Sequence, residues 1–254
     1  MNAIKTLFKN PKDKLIVFIT AGYPELESTK QVVMAAVNAG ADMIEIGIPF
    51  SDPQADGIVI QEASEKALNN GITLNVIFEQ VKEIRKETKI PIALMGYYNP
   101  ILRFGPTNFI KMCSKIGVDG LILPDLPLDE AKDFCKESKS FDVSPILLVA
   151  PNTPDNRIKE ISSVAGDLIY AVSILGITGS KINSKTNLKS YLSRVRNNSS
   201  APFIVGFGIS SNEDVRWFNK YSDGAVVGTA VIKIISQKKN SNDLVYNFIK
   251  KLKN

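Results

Sequence analysis

Apolar residues along this chain follow two alternating patterns. Short runs rich in Val and Ile predict buried strands. After each run, apolar residues recur at every third or fourth position, which predicts an amphipathic helix. The predicted strands are Leu15–Thr20, Met43–Gly47, Ile92–Met95, Gly120–Leu123, Ser144–Val149, Leu168–Val172, Phe203–Gly206 and Gly224–Gly228. The predicted helices are Ser28–Asn38, Gln61–Asn69, Leu74–Thr88, Pro106–Ile116, Leu128–Ser138, Pro154–Val164, Leu188–Arg196 and Asn212–Phe218. Thr107, Asp155 and Asn212 stand near predicted helix starts, where such side chains act as N-caps or first-turn residues.

This alternation of strands and helices is compatible with two architectures, a (β/α)₈ barrel and a doubly wound open sheet. An open dinucleotide-binding sheet would carry GxGxxG after its first strand, but Thr20-Ala21-Gly22-Tyr23-Pro24 stands there. Eight predicted strands in 254 residues are typical of the barrel. We therefore expect an α/β protein with a single (β/α)₈ TIM-barrel domain over residues 1–254. In such a barrel the active site lies at the C-terminal ends of the strands.

The composition is that of an ordinary globular protein, with 44% apolar and 22% charged residues. Cys113 and Cys135 fall in predicted helices and form no CxxC pair, so we expect reduced structural thiols. The segment Met1–Lys14 is too polar for a secretory or transit signal, and no apolar run reaches the ~20 residues that span a bilayer. We expect a soluble protein with no membrane partner. Its abundant Asn, Lys and Ile are typical of an AT-rich genome, which indicates the cytoplasm or, for an organellar gene, the plastid stroma.

The formal net charge of +5 is open to two interpretations, a nucleic-acid surface and a solvated protein surface. The lysines are scattered along helical segments such as Lys82–Lys89, and aromatic residues do not interleave with them. This pattern favours the solvated surface, so no nucleic-acid partner is expected. A small anionic substrate is compatible with the same charge.

The chain contains no histidine. This excludes Ser–His–Asp and Cys–His nucleophilic sites, HExxH zinc sites and imidazole acid–base catalysis. Any proton transfer must use Asp, Glu, Tyr, Lys or Cys, and no metal site is expected. A Schiff-base lysine is not expected either, because no predicted strand has a lysine in its interior.

Glycine and polar residues cluster directly after the predicted strands, where a barrel carries its active site. These clusters are Glu45-Ile46-Gly47, Tyr97-Tyr98-Asn99, Asp125, Ser173, Gly206-Phe207-Gly208 and Gly228-Thr229. Gly206–Ser210 follows strand seven, and Gly228–Ala230 follows strand eight and precedes a short apolar helix, Val231–Ile235. Barrels recurrently bind phosphate in these two loops. The alternative is that the glycines form tight turns and nothing more, but their presence in both loops favours phosphate binding. Gly176 and Gly179, after strand six, indicate a third contributor.

Two carboxylic acids stand in unusual positions. Glu45 lies within the apolar strand Met43–Gly47, where an unpaired charge is costly to bury. If its side chain points into the barrel mouth, desolvation raises its pKa and lets it act as both acid and base. The alternative is an ion pair with a neighbouring strand. Asp56 lies in a turn-rich loop before the second predicted helix and is either a turn residue or a functional one.

Several runs of the sequence resemble the tryptophan synthase α-subunit family. The matching runs are Phe18–Pro24, Ile44–Gly57, Met95–Pro100, Leu123–Pro127, Tyr170–Gly179 and Gly206–Ser210, in the family's order. The run from Glu45 to Gly57 is highly specific to the family. The resemblance implies a TIM-barrel carbon–carbon lyase (EC 4.2.1.20) of tryptophan biosynthesis. Such an enzyme cleaves indole-3-glycerol phosphate to indole and glyceraldehyde 3-phosphate without a Schiff base.

The resemblance also implies a role for each matching residue. Glu45 corresponds to the general acid–base that protonates indole C3, and Asp56 to the aspartate that hydrogen-bonds the indole N–H. Tyr170 corresponds to the tyrosine that positions the substrate and the loop carboxylates. The implied substrate-binding residues are Phe18 and Tyr97 along the indole pocket, Gly179, Phe207, Gly208, Gly228 and Thr229 around the phosphate, and Thr178 as a further contact.

The resemblance further implies a partner. The partner is a β subunit that holds pyridoxal phosphate, receives indole through a tunnel and condenses it with serine, within an α2β2 heterotetramer. No cofactor is expected in this chain itself. Phe50–Pro53 and Tyr98–Pro100 are the implied contact loops. A stand-alone lyase and a non-enzymatic activator of the β subunit are the alternatives, and the intact Glu45, Asp56 and Tyr170 oppose the second.

One region departs from the family pattern. In the loop after strand six, Ile174-Leu175 stands where a basic or small polar residue is frequent, and residues 180–187 are idiosyncratic. Because this loop is expected to close over substrate and touch the partner, the departure bears on closure and on coupling to the β subunit. It leaves the expected chemistry unchanged.

Overall fold

The computed structural model describes residues 2–10, 13–173, 185–206, 208–237 and 241–254. Its strands are β1 (Lys14–Thr20), β2 (Met43–Gly47), β3 (Ile92–Met95), β4 (Gly120–Ile122), β5 (Ser144–Val149), β6 (Ile169–Val172), β7 (Phe203–Gly206) and β8 (Gly224–Val227). Each strand pairs in parallel with the next, and β8 pairs with β1, so the sheet closes into a barrel. The expected (β/α)₈ TIM barrel is confirmed, and four strands have the predicted bounds.

The helices of the described residues surround this barrel. They are α1 (Ala3–Leu7), α2 (Ser28–Asn38), α3 (Ile58–Asn69), α4 (Leu74–Arg85), α5 (Tyr98–Phe104), α6 (Pro106–Ile116), α7 (Leu128–Ser140), α8 (Asp155–Ala165), α9 (Lys185–Asn198), α10 (Asn212–Asn219), α11 (Thr229–Ile235) and α12 (Ser241–Lys253). Thr107, Asp155 and Asn212 lie in the first turns of their helices. The cap of α10 is Ser211, whose side chain accepts from the Asp214 amide. No helix in these ranges is long and apolar enough to cross a membrane.

Three helices, α1, α5 and α12, are absent from the sequence-based prediction. Helix α12 carries buried Val245, Ile249 and Leu252 on one face and has Lys250, Lys251 and Lys253 in its last turn, so the lysine-rich C-terminal segment is an amphipathic helix. Helix α5 begins at Tyr98, whose backbone N–H donates to the Asp125 carboxylate at 2.9 and 3.0 Å. The segment Tyr98–Pro100, expected as a contact loop, is therefore the first turn of a helix.

Carboxylates recur at the N-terminal end of the barrel. Asp42, Asp119 and Asp223 immediately precede β2, β4 and β8, and Asp167 stands two residues before β6. Each accepts a hydrogen bond from the start of the preceding odd-numbered strand. The donors are Leu15 N to Asp42 at 2.7 Å, Ile92 N to Asp119 at 2.9 Å, Ser144 Oγ to Asp167 at 2.7 Å and Phe203 N to Asp223 at 2.8 Å. We call these four aspartates the basal ring.

Each aspartate of the basal ring also lies beside a cation. The cations are Lys253 for Asp42, Arg85 for Asp119, Lys5 for Asp167 and Arg196 for Asp223. Asp119 has the most partners, because the Ala3 N–H at the start of α1 also donates to it, at 3.2 Å. Helix α1 covers this end of the barrel, with Ile4 fully buried. Strand starts and terminal helices are thereby tied together away from the opposite mouth.

Candidate active site

Glu45 is the third residue of β2 and lies in register with Phe18 of β1 and Ala93 of β3. It is fully buried, and neither carboxyl oxygen has a hydrogen-bond partner among the described residues. The ion pair weighed as an alternative is therefore not formed within that part of the chain. Burial raises the pKa of Glu45 to about 8, because the charged form has lost its solvation. At neutral pH this side chain is an uncharged acid that can donate a proton.

Asp56 lies in the loop between β2 and α3, as the sequence predicts, and its backbone N–H closes a turn on Pro53 O at 3.2 Å. The Tyr97 hydroxyl, at the end of β3, donates to Asp56 Oδ2 at 3.1 Å. Burial raises the pKa of Asp56 to about 6, while the hydrogen bond from Tyr97 acts in the opposite direction. Asp56 is thus mainly ionised at neutral pH, where Glu45 is mainly protonated. Two carboxyl groups whose pKa values are pushed apart can serve as separate acid and anion.

Tyr170 is the second residue of β6 and is buried. Its hydroxyl lies against Gly206 of β7, where an added Cβ would fall 1.7 Å from the hydroxyl oxygen. No larger residue fits at Gly206 unless Tyr170 moves. Burial, followed by the neighbouring charges of Glu45 and Asp56, raises the pKa of the Tyr170 hydroxyl well above its usual value, so this group stays neutral.

A cavity of about 430 Å³ at the C-terminal mouth brings these groups together. Its lining includes the predicted site residues Glu45, Asp56, Tyr170, Phe18, Gly208, Gly228 and Thr229. It also includes Ile60, Met95, Ile209 and Val226, which the sequence analysis missed. These are ordinary apolar residues, and the one feature of the sequence that could have identified them as lining is their position near strand ends or near the start of α3. Tyr97 lines an adjoining cavity of about 320 Å³ that shares Phe18 and Asp56 with the first.

The glycine-rich side of the mouth has a fixed backbone. Gly208 has φ of +80°, a conformation that side-chain-bearing residues rarely adopt. Just beyond it, the Asp214 carboxylate accepts from the Ser210 and Ser211 backbone N–H groups at 3.1 and 3.0 Å. Gly228 precedes α11, which begins at Thr229. Among the described residues, the loops after β7 and β8 contribute Gly208, Ile209, Gly228 and Thr229 to the lining of the cavity.

Three predicted site residues, Thr178, Gly179 and Phe207, lie outside the described residues. So do all of residues 174–184, in the loop after β6. Within the described ranges, no three His, Cys, Asp or Glu side chains group closely enough to hold a metal ion. Cys113 and Cys135 are free and buried in α6 and α7. Burial raises the pKa of both thiols, to about 11 for Cys135, so they are neutral and take no part in proton transfer.

Comparison with known proteins agrees with this arrangement. The family described as tryptophan synthase alpha chain matches residues 4–253. A relative from Petrotoga mobilis with that name is 49% identical over 96% of this chain and 93% of its own length. One from Christiangramia forsetii is 42% identical over 100% of this chain and 99% of its own.

Solved structures give the same result. The chain in a tryptophan synthase complex from Pyrococcus furiosus superposes with a TM-score of 0.87 at 36% identity, covering 95% of this chain and 98% of the other. A second structure from P. furiosus, described as concerning mutual activation of the tryptophan synthase α2β2 complex, has a TM-score of 0.89 at 38% identity, with the same coverage. The family match, the curated relatives and the barrel mouth agree, and this chain belongs to the tryptophan synthase alpha chain family.

Proposed function

We propose that this chain cleaves indole-3-glycerol phosphate to indole and glyceraldehyde 3-phosphate, with Glu45 as the acid–base and Asp56 as the anion that balances the indole nitrogen. The observation that supports these roles is the pair of carboxyl groups in one cavity, with the pKa of Glu45 raised to about 8 and that of Asp56 to about 6. The tryptophan synthase alpha chain is a lyase that uses no cofactor, and pyridoxal phosphate resides in the β subunit. The chemistry therefore depends on side chains.

The reaction is a retro-aldol cleavage in which Glu45 gives up one proton and receives one back. The protonated Glu45 carboxyl gives its proton to indole C3, which makes the ring an electron acceptor. The Asp56 carboxylate accepts a hydrogen bond from the ring N–H and stabilises the positive charge that develops there. The glycerol C3′ hydroxyl then returns a proton to the Glu45 carboxylate, the C3–C3′ bond breaks, and C3′ becomes the aldehyde carbon. General acid–base catalysis of this kind contributes about 10²–10⁴-fold.

The remaining predicted residues position the substrate in this proposal. Gly208, Gly228 and Thr229 line the same cavity as the acid–base pair and offer backbone to a phosphate, joined by Thr178, Gly179 and Phe207 as the family pattern implies. Phe18 packs against Gly228, where an added Cβ would lie 3.3 Å from the ring, and so forms the wall between the two halves. Tyr170 contributes a neutral hydroxyl beside the acid–base pair. The substrate therefore spans the mouth, with its ring at β2 and its phosphate at β7 and β8.

The proposal includes a β-subunit partner in an α2β2 assembly, like that of the tryptophan synthase α2β2 complex from P. furiosus. Two large apolar side chains, Ile58 at the start of α3 and Leu102 on α5, are 66% and 56% exposed and are available to a partner surface. Phe50–Pro53 precedes Ile58 along the loop, and Leu102 lies on α5. The relatives named above are bacterial, which favours the cytoplasm over a plastid. We take residues 1–254 as a single barrel domain.

The test is an indole-release assay on the purified chain, with and without a β subunit, for the wild type and for Glu45→Gln and Asp56→Asn. We expect wild-type turnover to rise strongly with the partner, and Glu45→Gln to lose about 10³-fold or more while still binding substrate. Near-normal turnover of Glu45→Gln would exclude the acid–base role. Full activity without a partner would instead identify a stand-alone lyase, and no activity under either condition would identify a non-enzymatic activator.

A further inference from the structure

We propose that Tyr97, expected from the family pattern to line the indole pocket, is a positioning residue whose hydroxyl holds the Asp56 carboxylate in its working orientation. The inference rests on the proposed function and adds a residue that acts through Asp56. Its basis is that one hydroxyl is bonded to two successive residues of the loop after β2. Ala55 N–H donates to the Tyr97 oxygen at 2.9 Å, and the Tyr97 hydroxyl donates to Asp56 Oδ2 at 3.1 Å.

The direction of these two bonds follows from their chemistry. A backbone N–H can donate but not accept, so the Tyr97 oxygen must accept from Ala55. The one phenolic proton is then left for the Asp56 carboxylate, which is an acceptor when ionised. A bond to an ionised acceptor is stronger than a neutral one. The hydroxyl therefore fixes both the backbone of the loop and the carboxylate that the loop carries.

The Tyr97 ring is itself held from several sides. It is 6% exposed and stacks on Phe50, with ring centroids 5.2 Å apart and an interplanar angle of 29°. The next residue, Tyr98, begins α5 and is fixed through its N–H to Asp125. The ring therefore stands on the junction of a barrel strand and a helix, whereas Asp56 stands on irregular backbone. A catalytic group on a loop is oriented well only when a rigid element supports it.

The charges around Asp56 do not provide that support. Among the described residues, the titratable groups that interact electrostatically with Asp56 or Tyr97 are Tyr170 from β6, which interacts with Asp56, and Asp125 after β4, which interacts with Tyr97. Neither group is cationic, so neither offers Asp56 an opposite charge that would orient it. A directional hydrogen bond from Tyr97 is the contact in this group that fixes where the Asp56 oxygens point.

The test is Tyr97→Phe, which keeps the ring and its stacking on Phe50 and removes the hydroxyl. We expect kcat for indole release, measured with the β subunit present, to fall about 10–100-fold while KM changes less than about threefold. Because the Tyr97 bond lowers the pKa of Asp56, its loss should also move the acidic limb of kcat/KM to higher pH. Tyr246→Phe on α12, far from the mouth, is the matched control and should leave both quantities unchanged.

A double variant separates a positioning role of Tyr97 from a general structural role. If Tyr97 acts through Asp56, Tyr97→Phe should change turnover less than about twofold when Asp56→Asn is already present, because the two losses are not additive. An equal loss on both backgrounds, or unchanged kcat and pH profile in Tyr97→Phe alone, would overturn the inference. Glu45→Gln and Asp56→Asn, assayed in parallel, separate this outcome from failure of the proposed function. If both variants retain turnover, the proposed roles of Glu45 and Asp56 are wrong, and if the wild type releases no indole with or without the β subunit, the proposed function is wrong.

Discussion

The two ends of the barrel surround carboxyl groups with different environments. At the N-terminal end, each aspartate of the basal ring accepts from a strand start and lies beside a cation. At the C-terminal mouth, Glu45 is fully buried without a hydrogen-bond partner among the described residues. In the first arrangement the carboxyl group is surrounded by hydrogen-bond donors and a cation, and in the second apolar burial favours the neutral form. Stability and reactivity are thus separated along the barrel axis.

This difference explains why the glutamate at the mouth is placed to exchange a proton with a substrate, whereas the basal aspartates are engaged with strand starts. A carboxylate bonded to backbone N–H groups and a guanidinium has its lone pairs occupied by those partners. A carboxyl group surrounded by apolar strand residues keeps its proton until a substrate or a rise in pH removes it. The expected cost is stability, because function holds an acidic group where an apolar one would be more stable.

The largest effect that this comparison predicts is on the pH dependence of folding in Glu45→Gln. The folded-state pKa of about 8 lies above the usual value of 4.5, so the folded protein holds a proton that the unfolded chain releases. The contribution of Glu45 to the free energy of unfolding of the wild type should therefore be complete below pH 4.5. It should be lost as the pH rises towards 8, by about 2–5 kcal/mol in all. Glutamine cannot ionise, so the variant should lack this decline.

The measurement is urea unfolding of the wild type and of Glu45→Gln at several values between pH 5 and 9. The diagnostic quantity is the difference in slope with pH, since a buried amide also carries a desolvation cost that is independent of pH. Parallel curves would mean that Glu45 ionises freely in the folded protein, and the contrast between the two ends would then fail.

The second effect is at the basal ring, in Asp119→Asn. Asp119 accepts from Ile92 N, from Ala3 N and from Arg85, and an asparagine offers one oxygen and two N–H donors in the same space. At least one partly buried donor loses its acceptor, so we expect a loss of about 2–4 kcal/mol in the free energy of unfolding. Turnover per folded molecule should stay within about twofold. The exposed Asp133→Asn is the control. If turnover per folded molecule fell by much more than twofold in Asp119→Asn, the two ends of the barrel would be coupled.

The sequence predicted the barrel, and marked Glu45 as a candidate acid, for physical reasons that recur in the structure, whereas the roles of Glu45 and Asp56 as a pair came from the resemblance to the family. The strand Met43–Gly47 has its predicted bounds, because its β-branched run is buried on both faces and ends at a glycine. Glu45 was identifiable because a carboxyl group inside such a run needs an explanation. The residue pattern also placed Asp56 on the loop that follows.

Other features depend on contacts that a single stretch of sequence does not contain. The short helix α1 is stable because Asn2 caps it and donates to the carbonyl oxygens of Asp119 and Asp142, more than one hundred residues away. The basal ring is visible in the sequence as an aspartate near the start of each even-numbered strand, but its hydrogen bonds appear once the barrel closes. The link from Tyr97 to Asp56 joins the residues after β3 to the loop after β2, so no local pattern predicts it.

The third effect is the pH dependence of catalysis, which depends on the mouth and not on the basal ring. The proposed active form has Asp56 ionised, which holds above its pKa of about 6, and Glu45 protonated, which holds below its pKa of about 8. We expect kcat/KM for indole release to be bell-shaped with a maximum near pH 7 and to fall about tenfold per pH unit on either side. Asp56→Asn should lose the acidic limb. A profile that stays flat down to pH 4.5 would mean that Asp56 lacks the environment described, and one that stays flat up to pH 9 would mean the same for Glu45.

The smallest effect separates two explanations of how the basal ring stabilises the fold. One is the number of hydrogen bonds that each aspartate accepts, and the other is the position of its charge in the barrel. Asp42 is bonded to one backbone group, Leu15 N, and to Lys253, whose side chain is 31% exposed. An asparagine oxygen can still accept from Leu15, so Asp42→Asn should lose little more than the exposed ion pair, about 0.5–1 kcal/mol and less at high salt. If hydrogen bonds set the cost, Asp119→Asn must exceed Asp42→Asn clearly in the same unfolding experiment. Equal losses would instead mean that the carboxylate charge before each even-numbered strand matters more than its partners, and the basal ring would have to be treated as one electrostatic unit.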